Sequence, residues 1–108
     1  MKKIISLIAV SMTLSLAAQA QDLTINIAMK NHQFYPSLIK VPANQKLKLV
    51  VTNMDSNAEE FESASLGFEK IMAGGTRATF FVKPLKAGTY NFFGEFNPAT
   101  MQGHIIAQ

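Results

Sequence analysis

Leu47-Lys48-Leu49-Val50-Val51-Thr52 is the stretch on which the fold reading turns. Leu47, Leu49 and Val51 alternate with Lys46, Lys48, Val50 and Thr52. That is the two-residue period of a strand with one face buried and its lysines turned to solvent. The same period runs backward through Leu23, Ile25 and Ile27, and Leu38-Ile39-Lys40-Val41 is a short extended run closed by Pro42. Forward of the turn-rich stretch 53–57, residues 59–63 read as extended, with Phe61 as the core residue. Residues 68–72, 76–82, 89–93 and 104–107 follow as strands, separated by Ala73-Gly74-Gly75 and Pro84-Leu85-Lys86-Ala87-Gly88. Past residue 20 no twelve-residue stretch carries a helical apolar stripe. A single helical turn is expected at 97–101, where Asn97-Pro98 has the form of an N-cap with Pro at the first helical position. Seven or eight short strands at this spacing predict an all-β antiparallel sandwich or barrel.

The chain has 108 residues, which allows one domain. Met1-Lys2-Lys3, the apolar run 4–18 and Ala18-Gln19-Ala20 have the order of a secretory signal cleaved after Ala20. The apolar run is shorter than the ~20 residues of a membrane span. The expected product is a periplasmic domain of residues 21–108 that does not span the membrane. Loss of Lys2 and Lys3 leaves eight basic against seven acidic residues, so the formal charge of +3 mostly belongs to the leader. With no basic run and no basic–aromatic interleaving, nothing points to nucleic acid. The chain has no cysteine. Disulfides, cysteine-bound zinc, iron–sulfur clusters and a thiol nucleophile are therefore excluded. There is no Ser/His/Asp order, phosphate loop or HExxH, and no enzymatic activity is expected.

Three segments together resemble the cupredoxins, and they cover nearly all of residues 21–108. Phe34-Tyr35-Pro36-Ser37-Leu38-Ile39-Lys40-Val41-Pro42-Ala43-Asn44 is similar to the motif F-x-P-x-x-I-x-V-P-x-G, with Asn44 at the glycine. Val51-Thr52-Asn53-Met54-Asp55, followed by Glu59-Glu60-Phe61, resembles V-x-N-x-D-x-x-x-H-x-F. Gly88-Thr89-Tyr90-Asn91-Phe92-Phe93-Gly94, running through Met101-Gln102-Gly103-His104-Ile105, resembles G-x-Y-x-F-x-C-x-x-H…M-x-G-x-I. The resemblance implies a Greek-key β-sandwich. Blue copper is held by two His, a Cys and a weak axial Met. At the matching positions stand Glu59 for the first His, Gly94 for the Cys, Asn97 for the second His and Met101 for the Met. A type-1 copper centre is therefore not expected.

The stretches around Glu59 to Ser63, Glu69-Lys70 and Phe93-Gly94-Glu95-Phe96 are similar to a narrower branch. It comprises the periplasmic cupredoxin-like domains related to the N-terminal domain of the iron-uptake protein EfeO and associated with an iron permease. That likeness implies an accessory in iron or copper uptake, with an inner-membrane iron permease or periplasmic iron-uptake protein as partner. Five of the seven acidic residues, Glu59, Glu60, Glu62, Glu69 and Glu95, fall in these segments. Glutamate is depleted in strands, and like charges side by side repel, so a cation would relieve the cluster. Carboxylates suit ferric or ferrous iron, manganese and calcium better than copper(I); the thioether of Met101 draws toward copper(I). The candidate ligands divide into an end set (Glu59, Glu95, Met101) and a side set (Glu60, Glu62, Glu69). Period-two geometry puts Glu60 and Glu62 on the face opposite Glu59 and Phe61. The competing reading is a solvated acidic face on a metal-free module that docks on a permease or another periplasmic partner. His32 and His104 lie outside the resembled ligand positions and read as surface residues. Met29, Met54 and Met72 read as packing residues. Phe80, Phe81, Tyr90, Phe92, Phe93 and Phe96 read as core, with Phe96 near the exposed end.

Overall fold

The structure, a computed structural model, describes residues 21–108. The leader reading lies outside the described residues. Nine strands run in order: β1 (Leu23–Lys30), β2 (Gln33–Tyr35), β3 (Leu38–Val41), β4 (Leu47–Asn53), β5 (Glu59–Ser63), β6 (Phe68–Met72), β7 (Arg77–Val82), β8 (Gly88–Gly94) and β9 (Gln102–Ala107). They form two sheets, β2-β1-β4-β7 and β3-β9-β8-β5-β6. No described residue is helical, and none belongs to a helix long enough to cross a membrane.

The expected all-β sandwich is present with two corrections. The ninth strand is β2, in a stretch read as loop. Asn31 and His32 both take left-handed backbone, φ 53° and 56°, which folds β2 back on β1 as a tight hairpin. The Asp55 carboxylate holds that turn, accepting from the Asn31 N–H at 2.7 Å and the His32 N–H at 3.0 Å. The two N–H groups hold the Asp55 carboxyl below its usual value, the His32 bond contributing most. The second correction concerns direction. β1 pairs parallel with β4, from Leu23↔Leu47 to Met29↔Asn53, and β3 pairs parallel with β9. Period two reports which residues point inward, and it is blind to strand direction.

Burial follows the alternation closely. β4 buries Leu47, Leu49, Val51 and Asn53, and β5 buries Glu59, Phe61 and Ser63. Phe61 is fully buried at the centre of an aromatic group. Its ring centroid lies 5.4 Å from stacked Phe68, 5.1 Å from Phe80, 5.4 Å from Phe92 and 5.8 Å from Phe34. Gly103 lets the Phe92 ring lie on the β9 backbone, since a Cβ there would overlap the ring. Phe81 does not join this core. It follows Phe80 on β7, so it points outward, and 71% of it is exposed. Phe96 is exposed at the loop end, and Met54 is exposed, whereas Met29 and Met72 pack in the core. Asn44 adopts φ 61°, the left-handed turn expected where the resembled motif carries glycine.

Candidate functional site

The end of the sandwich is built by the first residue of β5, the last of β8 and the loop that joins β8 to β9. Asn97 opens one turn in that loop. Its carbonyl accepts from the Thr100 N–H at 3.3 Å and the Met101 N–H at 3.0 Å. The Gly94 N–H closes the loop on the Met101 carbonyl at 3.0 Å. Glu59 points into this loop and is 3% exposed. One of its oxygens accepts from the Asn97 side-chain amide at 2.7 Å. The other accepts from the Phe96 N–H at 2.8 Å and the Glu60 N–H at 3.1 Å. Met101 is fully buried. A Cβ added at Gly94 would lie 2.8 Å from the Met101 sulfur and 2.9 Å from Glu59 Cδ. The absence of a side chain at 94 is what lets Glu59 and Met101 close together.

Glu59, Asn97 and Met101 thus converge as the resemblance implied. Glu95 does not join them. Its side chain is exposed, and its N–H pairs outward with the Glu60 carbonyl at 3.0 Å. The register Phe61↔Gly94 explains this: residues 60 and 95 are the next pair along, on the opposite face.

That outer face carries the second set. Glu62 stands directly across from Glu69, and Glu60 across from Ile71. Carboxylate oxygens of Glu60, Glu62 and Glu69 all lie within 4.8 Å of one another. Partial burial lifts the Glu60 and Glu62 carboxyls above the usual value, and the charges of Glu69 and Glu95 lift them further. A carboxyl with a raised folded-state value binds its proton more readily folded than unfolded. These two groups therefore weaken the fold at neutral pH. The penalty is relieved as pH falls through the raised values and is gone below the unfolded value of 4.5. Asp55 acts oppositely, its contribution being lost as pH falls below its unfolded value of 3.8. Without added metal, the melting temperature is expected to rise between pH 7 and about 4.5 and then to fall. Glu60→Gln/Glu62→Gln should flatten the rise, and thermal melts across that range check it.

His104 lies on the same outer face, its Nδ1 2.6 Å from the Asn91 side-chain oxygen, and it is exposed as expected. His32 serves the β1–β2 turn through its backbone. What the sequence reading missed is the bond between Glu59 and Asn97. The signal was available in the paired replacement of two ligand positions by an acceptor and a donor.

Two packed sheets with mixed pairing, closed at one end by a β8–β9 loop over the start of β5, define a two-layer Greek-key type of β-sandwich. The chain belongs to the Cupredoxin-like domain family, whose sequence profile matches residues 3–107. It is 40% identical over 84 residues to an uncharacterised protein of Rickettsia prowazekii (strain Madrid E), covering 78% of this chain and 67% of that one. Among solved structures it is similar to auracyanin A, a blue copper protein of Chloroflexus aurantiacus. That match has a TM-score of 0.70 and 15% identity, over 82% of this chain and 100% of that one. It is also similar to the metal-binding domain of the Cu(I)-exporting P-type ATPase CopA of Streptococcus pneumoniae. There the TM-score is 0.70 and the identity 11%, over 79% and 84% of the two chains.

The residues present do not fit a type-1 copper centre. There is no thiolate, both Glu59 oxygens already accept N–H donors, and the space that a side chain at position 94 would need is filled by Met101 and Glu59.

Proposed function

We propose that this chain is a periplasmic metal-binding accessory that holds a hard cation on the outer carboxylates Glu60, Glu62 and Glu69, with Glu95 beside them. The observation that carries the reading is the three-carboxylate cluster within 4.8 Å on one sheet face. Like charges placed opposite each other across strands destabilise a sheet, and a divalent or trivalent cation reverses that sign. An all-oxygen set disfavours copper(I) and suits hard cations such as manganese, calcium or iron. The EfeO-like segments add iron uptake, with an iron permease or periplasmic iron-uptake protein as partner. The leader-like first twenty residues support the periplasmic placement.

Equilibrium dialysis of the chain against ferrous iron, manganese and copper(I), followed by elemental analysis, tests the reading. The expected result is about one iron or manganese ion per chain at micromolar metal. Affinity should fall by more than ~100-fold in Glu62→Gln/Glu69→Gln, beyond the ~10–100-fold that supporting residues of metal sites give. No bound metal overturns the reading. It would favour a metal-free docking module, for which Ile71, 62% exposed beside Glu60, is the supporting feature.

A further inference from the structure

We infer that the end of this sandwich has exchanged metal ligation for an internal hydrogen-bonded clasp, in which Glu59 preforms the β8–β9 loop and excludes a metal ion. Three observations carry it independently of the outer carboxylates. First, every donor around Glu59 is an N–H: Phe96 at 2.8 Å, the Asn97 amide at 2.7 Å and Glu60 at 3.1 Å. Three of the carboxylate's roughly four lone-pair positions are taken by these donors, and their hydrogens point positive charge at the space a cation would occupy. Second, no buried side-chain nitrogen or oxygen among the described residues lacks a hydrogen-bond partner, so none is an orphan that an ion would have to satisfy. Third, the volume is taken: Gly94 has no room for a Cβ between Met101 and Glu59.

The replacements are chemically matched. Position 59 supplies an acceptor and position 97 a donor, 38 residues away in sequence and in direct contact. Position 94 supplies the space that allows the contact. The loop they close presents Phe96, 49% exposed, on a fixed backbone whose N–H is tied to Glu59.

Glu59→Gln and Glu59→Leu separate a clasp from a metal ligand. A glutamine oxygen still accepts from the Phe96 and Glu60 N–H groups. Its NH2 can donate to Asn97 once that amide turns over. Leucine leaves all three donors unpaired. Amide exchange at Phe96 should therefore stay within about threefold of wild type in Glu59→Gln and accelerate at least ~10-fold in Glu59→Leu. In parallel, the chain labelled at methionine methyls is titrated anaerobically with copper(I) and with zinc(II), both diamagnetic, so that a shift reports contact with the ion, the Met101 signal being assigned through Met101→Leu. The Met101 methyl and the Phe96 amide should not move at one equivalent, even where resonances of Glu60 and Glu62 do. A one-to-one shift of the Met101 methyl overturns the clasp, as does unchanged Phe96 exchange in Glu59→Leu. The wild-type titration decides the point where Glu59→Leu does not fold. Absence of outer-face binding leaves the clasp standing, so its failure and that of the proposed cation site are told apart.

Discussion

Phe61→Ala is expected to lower unfolding stability by ~3–5 kcal/mol, the range for removing a large aromatic from a packed core. Phe61 is fully buried and meets Phe34, Phe68, Phe80 and Phe92, which come from both sheets. The inner face of β5 therefore holds the two layers together through one side chain. Stability of small domains is ~5–15 kcal/mol, so the loss consumes a large share of it. Urea unfolding should show the midpoint moving strongly down, with Phe61→Leu moving it less because most of the volume is kept. The consequence reaches the outer face. Glu60 and Glu62 flank Phe61 on the same strand and point the other way. Their side-by-side placement depends on Phe61 being locked inward. A loss of stability below ~1 kcal/mol in Phe61→Ala would mean the aromatic group repacks, and β5 would not be the strand that joins the two layers.

How far the residues announced this arrangement differs by feature. Inward and outward positions on β4 and β5 were readable because a half-buried strand imposes period two on the side chains themselves. Glu60 and Glu62 opposite Phe61 followed from the same rule. Phe81 was misread for a reason the rule already contains: two adjacent aromatics on one strand cannot both face the core, and Phe80 took that side. Strand direction was not readable, because parallel β1–β4 and β3–β9 pairing joins segments separated by other strands. Glu95 was placed with the wrong set because its side depends on the pairing register of β8 with β5, a tertiary fact. The Glu59–Asn97 bond spans 38 residues and is invisible to local pattern. It becomes legible only once the aligned ligand positions are read as an acceptor and a donor. β2 escaped because a three-residue strand has too little sequence to show a period, and its turn is stabilised by Asp55, 23 residues beyond His32.

Asn53→Ala is expected to cost about 2–4 kcal/mol, more than one lost hydrogen bond, because it removes four hydrogen bonds at a fully buried position at once. Asn53 ends β4 fully buried. Its amide donates to the carbonyls of Asn57 at 2.9 Å, Met72 at 3.2 Å and Ala73 at 3.4 Å, and its oxygen accepts from the Asp55 N–H at 3.0 Å. No apolar side chain can satisfy three carbonyls and one N–H together. Asn53→Asp should be at least as damaging, because its second oxygen would face carbonyl oxygens where the amide now donates. Urea unfolding of both variants checks the order, and an Asn53→Asp variant as stable as wild type would refute the assignment of donor and acceptor. The effect should extend to the site. Asn53 ties the 53–57 loop to the end of β6, and Met72 is the cross-strand partner of Glu59. The loop therefore delivers the chain into β5 at the residue that clasps Phe96 and Asn97. In Asn53→Ala the Phe96 amide should exchange faster than in wild type while remaining slower than in Glu59→Leu, because the acceptor is still present and only its approach is loosened.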